Sequence, residues 1–159
     1  MINKKIILSL IFSIFCSQSF SSEIENLFLP EGFKINIYAE DVKSARQIAE
    51  SPNGAIFVGS KSGDSVMALI DTNNDNYAET KIIIASGLSN PTGVALKNGD
   101  LYFSEIDKIW VVKNIDEYIE NGVYENRPAK EIYTNQLPSD SWHGWKWLGF
   151  GPDNSLYVP

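Results

Sequence analysis

The chain has a single histidine, the residue type that most often acts as a general base in catalysis. His143 lies between Trp142 and Gly144, near the end of the sequence. An imidazole ring takes up and releases a proton near neutral pH, which suits the removal of a proton from a substrate. A histidine that packs on the neighbouring tryptophans or hydrogen-bonds to a turn would have the same sequence surroundings. His143 is therefore a candidate catalytic base, with a structural turn residue as the alternative.

Two further side chains could hold a planar or anionic cofactor. Trp142, Trp145 and Trp147 are three of the four tryptophans, and a flat indole face can stack on a sugar ring or a quinone. By alternation, Trp145 and Trp147 share one face of a strand and pack in the core, whereas Trp142 lies in the preceding loop. Arg46 could form two parallel hydrogen bonds to a carboxylate, or an ordinary surface salt bridge. Trp142 and Arg46 are the candidate cofactor-binding residues.

A third candidate site is an acidic loop that alternates oxygen-bearing side chains with other residues. This spacing resembles a calcium loop. An EF-hand would have glycine at the sixth position and a carboxylate at the twelfth, where this chain has Asn76 and Ile82. The alternatives are a calcium site and a solvated turn between outer strands. The candidate ligands are Asp71, Asn73, Asp75 and Glu79.

The beginning of the chain indicates export. Two lysines precede an apolar run at 6–15, which is too short to span a bilayer as a permanent anchor. Ser19 and Ser21 have the small-x-small spacing of a cleavage site, so residues 1–21 are predicted to be a signal peptide. The only cysteine, Cys16, lies inside it, so the mature chain can form no internal disulfide. We expect a periplasmic or secreted protein without a stable membrane anchor.

The charge balance argues against nucleic acid as a partner. Without the two lysines of the predicted signal peptide, 11 basic side chains face 20 acidic ones, and no cluster of Lys or Arg is left. The sequence also lacks a Gly-rich phosphate loop, a nucleophile elbow and a clustered set of zinc ligands. Nucleotide, serine-hydrolase and zinc chemistry therefore have no support.

The elements that must position these residues are short strands in a repeat. Three segments each read as an apolar strand, a tight turn and an aromatic strand, with hairpin turns predicted at Pro52-Asn53-Gly54, Asn98-Gly99 and Pro152-Asp153-Asn154. Their aromatic residues Phe57, Tyr102 and Tyr157 lie 45 and 55 residues apart, close to the roughly 40 to 50 residues of a four-stranded propeller blade. Residues 22–159 are thus predicted to be all-β, the N-terminal part of a propeller of four-stranded antiparallel blades with about two and a half blades present.

The repeat fixes where each strand should lie. A third blade is predicted to begin at Gly144, and Lys34–Ala39 is predicted to be an additional strand ahead of the first blade. The connection 114–129 in the second blade is long and without an assigned element. The predicted strands of the two complete blades are 47–50, 55–59, 65–71 and 81–86, then 92–96, 100–105, 108–113 and 130–134.

Propeller topology collects the candidate residues at one end. The connection into each innermost strand and the loop between the second and third strands lie on the same face around the central channel, where ligands usually bind. This face gathers Arg46, Asn90 and His143 from the first kind of connection, and Lys61 and Glu105 from the second. Asn90 and Glu105 are the candidate substrate-binding residues.

One segment of the predicted third blade resembles a known family. The run from Ser141 to Asp153 reads Ser-Trp-His-Gly-Trp-Lys-Trp-Leu-Gly-Phe-Gly-Pro-Asp, with His143 eight residues before Gly151. This motif is similar to that of the glucose/sorbosone dehydrogenases, and its His-Gly-Trp-Lys segment resembles the sorbosone dehydrogenase branch. The Leu-Pro-Glu-Gly-Phe-Lys opening at 29–34 and the Asn-Pro-Thr-Gly-Val-Ala segment at 90–95 agree with it.

The resemblance implies a six-bladed propeller that binds pyrroloquinoline quinone beside calcium at the channel mouth. It implies oxidation of a sugar or a related alcohol or aldehyde, with His143 as the base, hydride transfer to the quinone and electrons passing to a periplasmic acceptor. An acidic residue precedes the histidine in some relatives, and Trp142 stands there in this chain.

Two other function classes are compatible with a propeller. A lactonase-like hydrolase would use a metal at the channel mouth, and would need more carboxylates there than Glu105 alone. A scaffold or ligand-binding propeller would use His143 as a turn residue and the tryptophans as core. Basic residues facing the channel would favour the anionic quinone over both.

Overall fold

The fold was taken from a computed structural model that describes residue 24 and residues 26–159. These residues belong to two units, Met1–Asn36 and Ile37–Pro159. The predicted signal peptide, residues 1–21, lies outside the described residues. In the described part of the first unit, a turn joins the Phe33 amide to the Pro30 carbonyl at 3.2 Å. No helix among the described residues combines the length and apolar character of a membrane span.

The first four strands form one antiparallel sheet in sequence order, which we call blade 1. Strands β1 (Ala45–Glu50), β2 (Ile56–Ser60), β3 (Val66–Ile70) and β4 (Thr80–Ala85) are each hydrogen-bonded to the next. Successive side chains of a strand point to opposite faces of the sheet, and both faces carry apolar residues, because β2 begins Ile-Phe-Val and β3 reads Val-Met-Ala-Leu-Ile.

Blade 2 repeats this order with β5 (Val94–Lys97), β6 (Asp100–Ser104), β7 (Ile109–Val112) and β8 (Glu131–Thr134). Asn98 and Gly99 connect β5 to β6, with φ values of 51° and 79°. Positive φ at both central residues gives a turn whose twist matches that of the flanking strands. The prediction of a hairpin at this Asn-Gly pair is therefore confirmed.

The third sheet, which we call blade 3, has two strands, β9 (Gly149–Phe150) paired with β10 (Leu156–Tyr157). The predicted all-β fold of four-stranded antiparallel blades is confirmed. The inner strand of blade 3 begins at Gly149 and not at Gly144, because residues 144–148 make no ladder with a neighbouring strand. They are held by side chains of other blades, as shown below.

Lys34–Ala39 is not a strand, contrary to the prediction. A strand needs a ladder of backbone partners. Among the described residues, the backbone hydrogen bonds of this segment amount to one, from the Ala78 amide to the Tyr38 carbonyl at 2.7 Å. Within the second unit, Tyr38, Ala39 and Val42 pack on Val58 and Leu69 of the outer face of blade 1. An apolar groove of about 480 Å³ remains on this face.

A short helix, α1 (Ile115–Glu120), lies in the β7–β8 connection and was missed by the strand periodicity. One sequence signal for this helix is the spacing of Ile115 and Ile119, which lie four residues apart on one helix face and are both buried. Asp116 and Glu117 stand in its first turn, where acidic residues favour a helix.

The main core lies between blades 1 and 2. Alternate residues of β2, β3 and β4 face alternate residues of β5, β6 and β7, and Phe57 and Phe103 are completely buried there. A second core between blades 2 and 3 contains Tyr102, Ile109 and Leu148. The buried residues of the main core are Ala55, Phe57, Val66, Ala68, Ile82, Ile84, Ala85, Leu88, Val94, Leu101, Phe103, Val112, Ile115 and Ile119.

Neighbouring blades approach so closely at one end that glycine is required. A Cβ at Gly59 would overlap the Thr92 carbonyl oxygen and lie 2.7 Å from that of Pro91. The same segment is tied to blade 1, because the Ser60 amide donates to the Pro91 carbonyl at 2.8 Å. One blade later, a Cβ at Gly93 would lie 2.6 Å from the Lys146 carbonyl oxygen. Backbone therefore packs on backbone where each blade begins.

This approach makes Gly59→Ala destabilising. The added methyl would meet fixed carbonyl oxygens, so the blades must separate, and we expect a loss of about 1–3 kcal/mol in the free energy of unfolding, measured by urea denaturation. Gly149→Ala is the control, because its Cβ would meet only the Trp147 ring at 3.4 Å. Equal losses for the two variants would contradict the backbone contact as the cause.

Candidate functional site

His143 lies in a tight turn between β8 and β9. Its φ is 57°, and it is the one non-glycine residue with positive φ among those described that is not Asn, Asp or Ser. A Cβ at Gly144 would overlap the Asp140 carbonyl and lie 3.0 Å from Cγ2 of Ile106 in the β6–β7 loop. A positive φ is uncommon for residues other than glycine, and such conformations occur preferentially at functional sites.

The turn places His143 in a cluster of aromatic rings and one cation, the mouth cluster, formed by Lys61, Trp142, His143 and Trp145. The centroid of the imidazole ring lies 5.1 Å from that of Trp142, edge to face, and 5.2 Å from that of Trp145. The Lys61 Nζ atom lies 4.4 Å from the Trp145 centroid. These distances are typical of aromatic pairs and cation–π contacts.

The cluster is open to solvent. Trp142 is 85% exposed, as the sequence predicted for a loop position, and His143 is also exposed. The prediction that Trp145 and Trp147 both pack between blades is wrong. The two residues precede β9 and are not part of a pleated strand, and Trp147 is 56% exposed.

Two cations at this end have no carboxylate partner in the described part of the chain. Lys61 follows β2, and its amide donates to the Ser44 carbonyl at 3.0 Å. Arg46 is exposed in β1, within the register irregularity between Ala45 and Ile48. Because the chain as a whole is acidic, the Lys61 ammonium group beside the Trp145 indole suits an anionic, planar ligand.

Glu105 lies in the β6–β7 loop and is only 8% exposed. One carboxylate oxygen accepts from the Ser89 amide at 2.6 Å, and the other accepts from Trp110 Nε1 at 2.8 Å. Both carboxylate oxygens therefore form hydrogen bonds within the protein, and the bond to Ser89 fixes the segment that leads into β5. The predicted contact of Glu105 with substrate would require sharing these oxygens.

Asn90 lies in the segment that Glu105 holds. It has a φ of 49°, and its carbonyl accepts from the Thr92 amide at 2.7 Å. Neither Asn90 nor Glu105 hydrogen-bonds to the mouth cluster in the described residues. The substrate-binding roles predicted for Asn90 and Glu105 stay predictions. The same is true of the cofactor-binding roles of Arg46 and Trp142 and of the catalytic role of His143.

The acidic loop connects β3 to β4, so it lies at the end of blade 1 opposite the β2–β3 loop that carries Lys61. The Asp71 Oδ1 atom accepts from the amides of Asn73 and Asn74 at 3.2 and 2.7 Å. The amide group of Asn73 donates to Glu79 Oε1 at 2.8 Å. One carboxylate oxygen each from Asp71, Asp75 and Glu79 lies within 4.8 Å of the others.

These contacts favour the ionised carboxylates. Partial burial raises the pKa of Asp71, but hydrogen bonds from the backbone amides of 73–76 outweigh it and lower the pKa below the ordinary value. The Thr72 amide and hydroxyl, both 2.9 Å from Glu79 Oε2, lower the pKa of Glu79. Three predicted ligands, Asp71, Asp75 and Glu79, are thus brought together, with Asn73 hydrogen-bonded between them.

Sequence reasoning missed the side chain that joins all three blades at this end. The Gln47 amide group donates to the Val94 carbonyl at 2.9 Å and to the Leu148 carbonyl at 2.7 Å. Its oxygen accepts from the Val94 amide at 3.3 Å and the Leu148 amide at 3.1 Å. The one signal in the sequence was that Gln47, a long polar residue, aligns in the repeat with Gly93 of blade 2.

No family model matches the chain. An uncharacterized curated protein of Borreliella burgdorferi is 32% identical over 102 residues, which are 64% of this chain and 25% of that protein. Among solved structures, the holo form of the pyranose dehydrogenase PQQ domain from Coprinopsis cinerea matches with a TM-score of 0.56 and 11% identity, over 71% of this chain and 26% of that one.

A Trichoderma reesei protein of Carbohydrate-Active Enzymes Family AA12 is similar to the chain in two structures. The iodide structure has a TM-score of 0.57 and the calcium structure 0.56, each at 18% identity and over 74% of this chain, which is 30% and 29% of theirs. At these identities the likeness shows a common fold. The chain spans about a quarter of the length of the curated relative and of the first structure.

The acidic loop should make stability depend on pH below the ordinary carboxyl range. A lowered folded-state pKa contributes stability that is present above the unfolded value, 4.5 for Glu79, and is lost as pH falls through the folded value. We therefore expect Glu79→Gln to lower Tm at pH 7, with a difference from wild type that shrinks towards pH 3. Thermal melts at both pH values measure this, and a difference independent of pH would contradict it.

Proposed function

We propose that this chain acts in an exported oxidoreductase that uses pyrroloquinoline quinone to oxidise a sugar or a related alcohol or aldehyde. The propeller fold and the named functions of two of its structural neighbours support this proposal. The observation that carries it is the imidazole of His143, which has a positive φ and contacts two indole rings, one of which contacts Lys61. The segment 141–153 further favours the sorbosone dehydrogenase branch.

The residues of the mouth fit the proposed cofactor. Pyrroloquinoline quinone is a flat ring system with carboxylate groups, so it needs cations and a planar surface. Lys61 and Arg46 have no carboxylate partner among the described residues, and Trp142 offers an 85% exposed indole. These three residues would hold part of the group, the cations by charge and the indole by stacking.

His143 would act as the base in the reaction. When bound, the quinone supplies the two-electron acceptor. His143 would accept the proton of the substrate hydroxyl, or of a hydrated aldehyde, and its exposure leaves the ring accessible to a substrate. No carboxylate hydrogen-bonds to the imidazole in the described part of the chain. The contacts with the rings of Trp142 and Trp145 would therefore orient the imidazole.

The remaining parts of the proposal concern substrate and location. Asn90 and Glu105 lie in loops at the same end as the mouth cluster and are proposed to contact the substrate. The predicted signal peptide at 1–21 supports export to the periplasm, where an acceptor would take the electrons.

The decisive experiment is quinone-dependent dye reduction by the full-length gene product with a panel of sugars, alcohols and aldehydes. We expect activity that requires added quinone and that falls by about a hundredfold or more in His143→Ala, within the range attributed to a general base. Lys81→Gln, on the outer strand β4, is the control and should retain full activity.

Other outcomes would replace the proposal. A folded protein that neither binds the quinone nor reduces dye is not a quinone-dependent enzyme. Hydrolysis of lactones by that protein would then indicate the hydrolase alternative. An absence of both activities would indicate a binding or scaffold propeller in which His143 only shapes a turn.

We also propose that the acidic loop binds calcium through Asp71, Asn73, Asp75 and Glu79. Its oxygens converge and the two perturbed carboxyls favour their charged form, which suits a hard cation. Because the loop lies at the end of blade 1 opposite the mouth cluster, an ion bound there would stabilise the β3–β4 connection and would not contact a quinone at the mouth.

Terbium provides a direct test of the loop. Tyr77 lies within it and can sensitise a bound Tb³⁺ ion, so we expect luminescence that calcium displaces and that Asp75→Asn weakens at least tenfold in affinity. Asp41→Asn is the control, because Asp41 is a 93% exposed carboxylate outside the loop. Absence of luminescence, or an equal loss in the control, would leave a solvated turn as the correct description.

A further inference from the structure

The position of His143 depends on a buried side chain from another blade. Residues 144–148, which connect His143 to β9, form no strand ladder. In the described part of the chain, the hydrogen bonds that tie this segment to other blades come from Gln47 and Ser104. Gln47 bonds to both backbone groups of Leu148, and the Ser104 hydroxyl donates to the Lys146 carbonyl at 3.3 Å.

We propose that Gln47 is a positioning residue for His143, acting through Leu148, with Ser104 as a second tie through Lys146. The inference rests on the proposed function, because it matters to catalysis only if His143 is the base. The geometry that carries it is independent of any substrate. Gln47 is 7% exposed and Leu148 is 1% exposed, so the point of attachment is fixed by packing as well as by hydrogen bonds.

Blade 1 holds the loop at two points. Gln47 fixes Leu148 at the C-terminal end of the segment, while Lys61 contacts the Trp145 ring, which in turn contacts the imidazole. Both residues flank the β1–β2 pairing, where Ala45 lies opposite Ser60. A shift of Leu148 would therefore change where Trp145 and His143 lie relative to Lys61.

Only an amide side chain of this length can make these bonds. The nitrogen donates to two carbonyl oxygens while the oxygen accepts from two backbone amides. A glutamate carboxylate would keep the acceptor and lose both donors, and its charge would face the Val94 and Leu148 carbonyls. Gln47→Glu is thus nearly isosteric and removes the connection to the Leu148 carbonyl.

The single histidine makes the test direct. Both indole rings shift the nuclear magnetic resonance signals of the imidazole, and these signals can have no other source in the chain. We expect Gln47→Glu to move the His143 signals towards those of an unstructured histidine. Ser104→Ala should cause a smaller shift in the same direction, and it serves if Gln47→Glu does not fold.

The control is Asn53→Ala, which removes a different inter-blade bond. The side-chain amide of Asn53 donates to the Asp116 carbonyl at 3.3 Å, at the end of the blades opposite the mouth cluster. Unchanged His143 signals in this variant, with shifted signals in Gln47→Glu, would support the inference. Unchanged signals in a folded Gln47→Glu or Ser104→Ala, or equal shifts in the control, would overturn it.

An activity measurement separates this inference from the proposed function. If the wild-type protein reduces dye, Gln47→Glu should lower kcat at least tenfold more than Asn53→Ala does and displace the pH profile. Effects on stability alone, with kcat and the profile unchanged, would overturn the inference. If the wild-type protein reduces no dye, the proposed function fails, and the His143 signals still decide whether Gln47 positions the ring.

Discussion

The inner edges of blades 2 and 3 leave backbone groups of Val94 and Leu148 without a strand partner, and these groups are buried. A buried amide or carbonyl without a hydrogen bond costs about 1–3 kcal/mol. Gln47 supplies all four missing bonds with one side chain. Its amide behaves like an additional peptide group inserted between the blades, and the relation between β1, β5 and the segment before β9 depends on it.

The same end of the blades combines this rigid attachment with an open surface. Glycines at 59 and 93 allow backbone to pack on backbone, and the buried Glu105 carboxylate fixes the segment that leads into β5. Above this support, Trp142 and His143 are exposed. A closely packed support beneath exposed rings is the arrangement expected of a binding site whose geometry is formed before the ligand binds. The acidic loop forms a separate, self-bonded unit at the opposite end.

The repeat was predictable because it depends on local patterns. Alternating apolar residues and the Asn98-Gly99 turn are visible over a few positions, and they placed most strands to within one or two residues. The exposure of Trp142 followed from its loop position. The alternating apolar residues at 144–148 predict a strand that the structure does not have. The actual support of this segment is Gln47, about a hundred residues earlier, and a hydrogen bond between such distant positions leaves no local pattern. The strand at 34–39 failed for a related reason, because alternation does not reveal whether a ladder partner is present.

The helix α1 shows where this architecture tolerates additional length. It lies in the connection between the third and fourth strands of blade 2, the same kind of connection that forms the acidic loop in blade 1. At the other end, an added methyl at Gly59 or Gly93 already collides with a carbonyl oxygen. Insertions and sequence divergence can therefore accumulate at the end of the blades that carries α1 and the acidic loop. The end that carries His143 is constrained by close backbone contacts. Its geometry can therefore persist while the sequence of the rest of each blade changes.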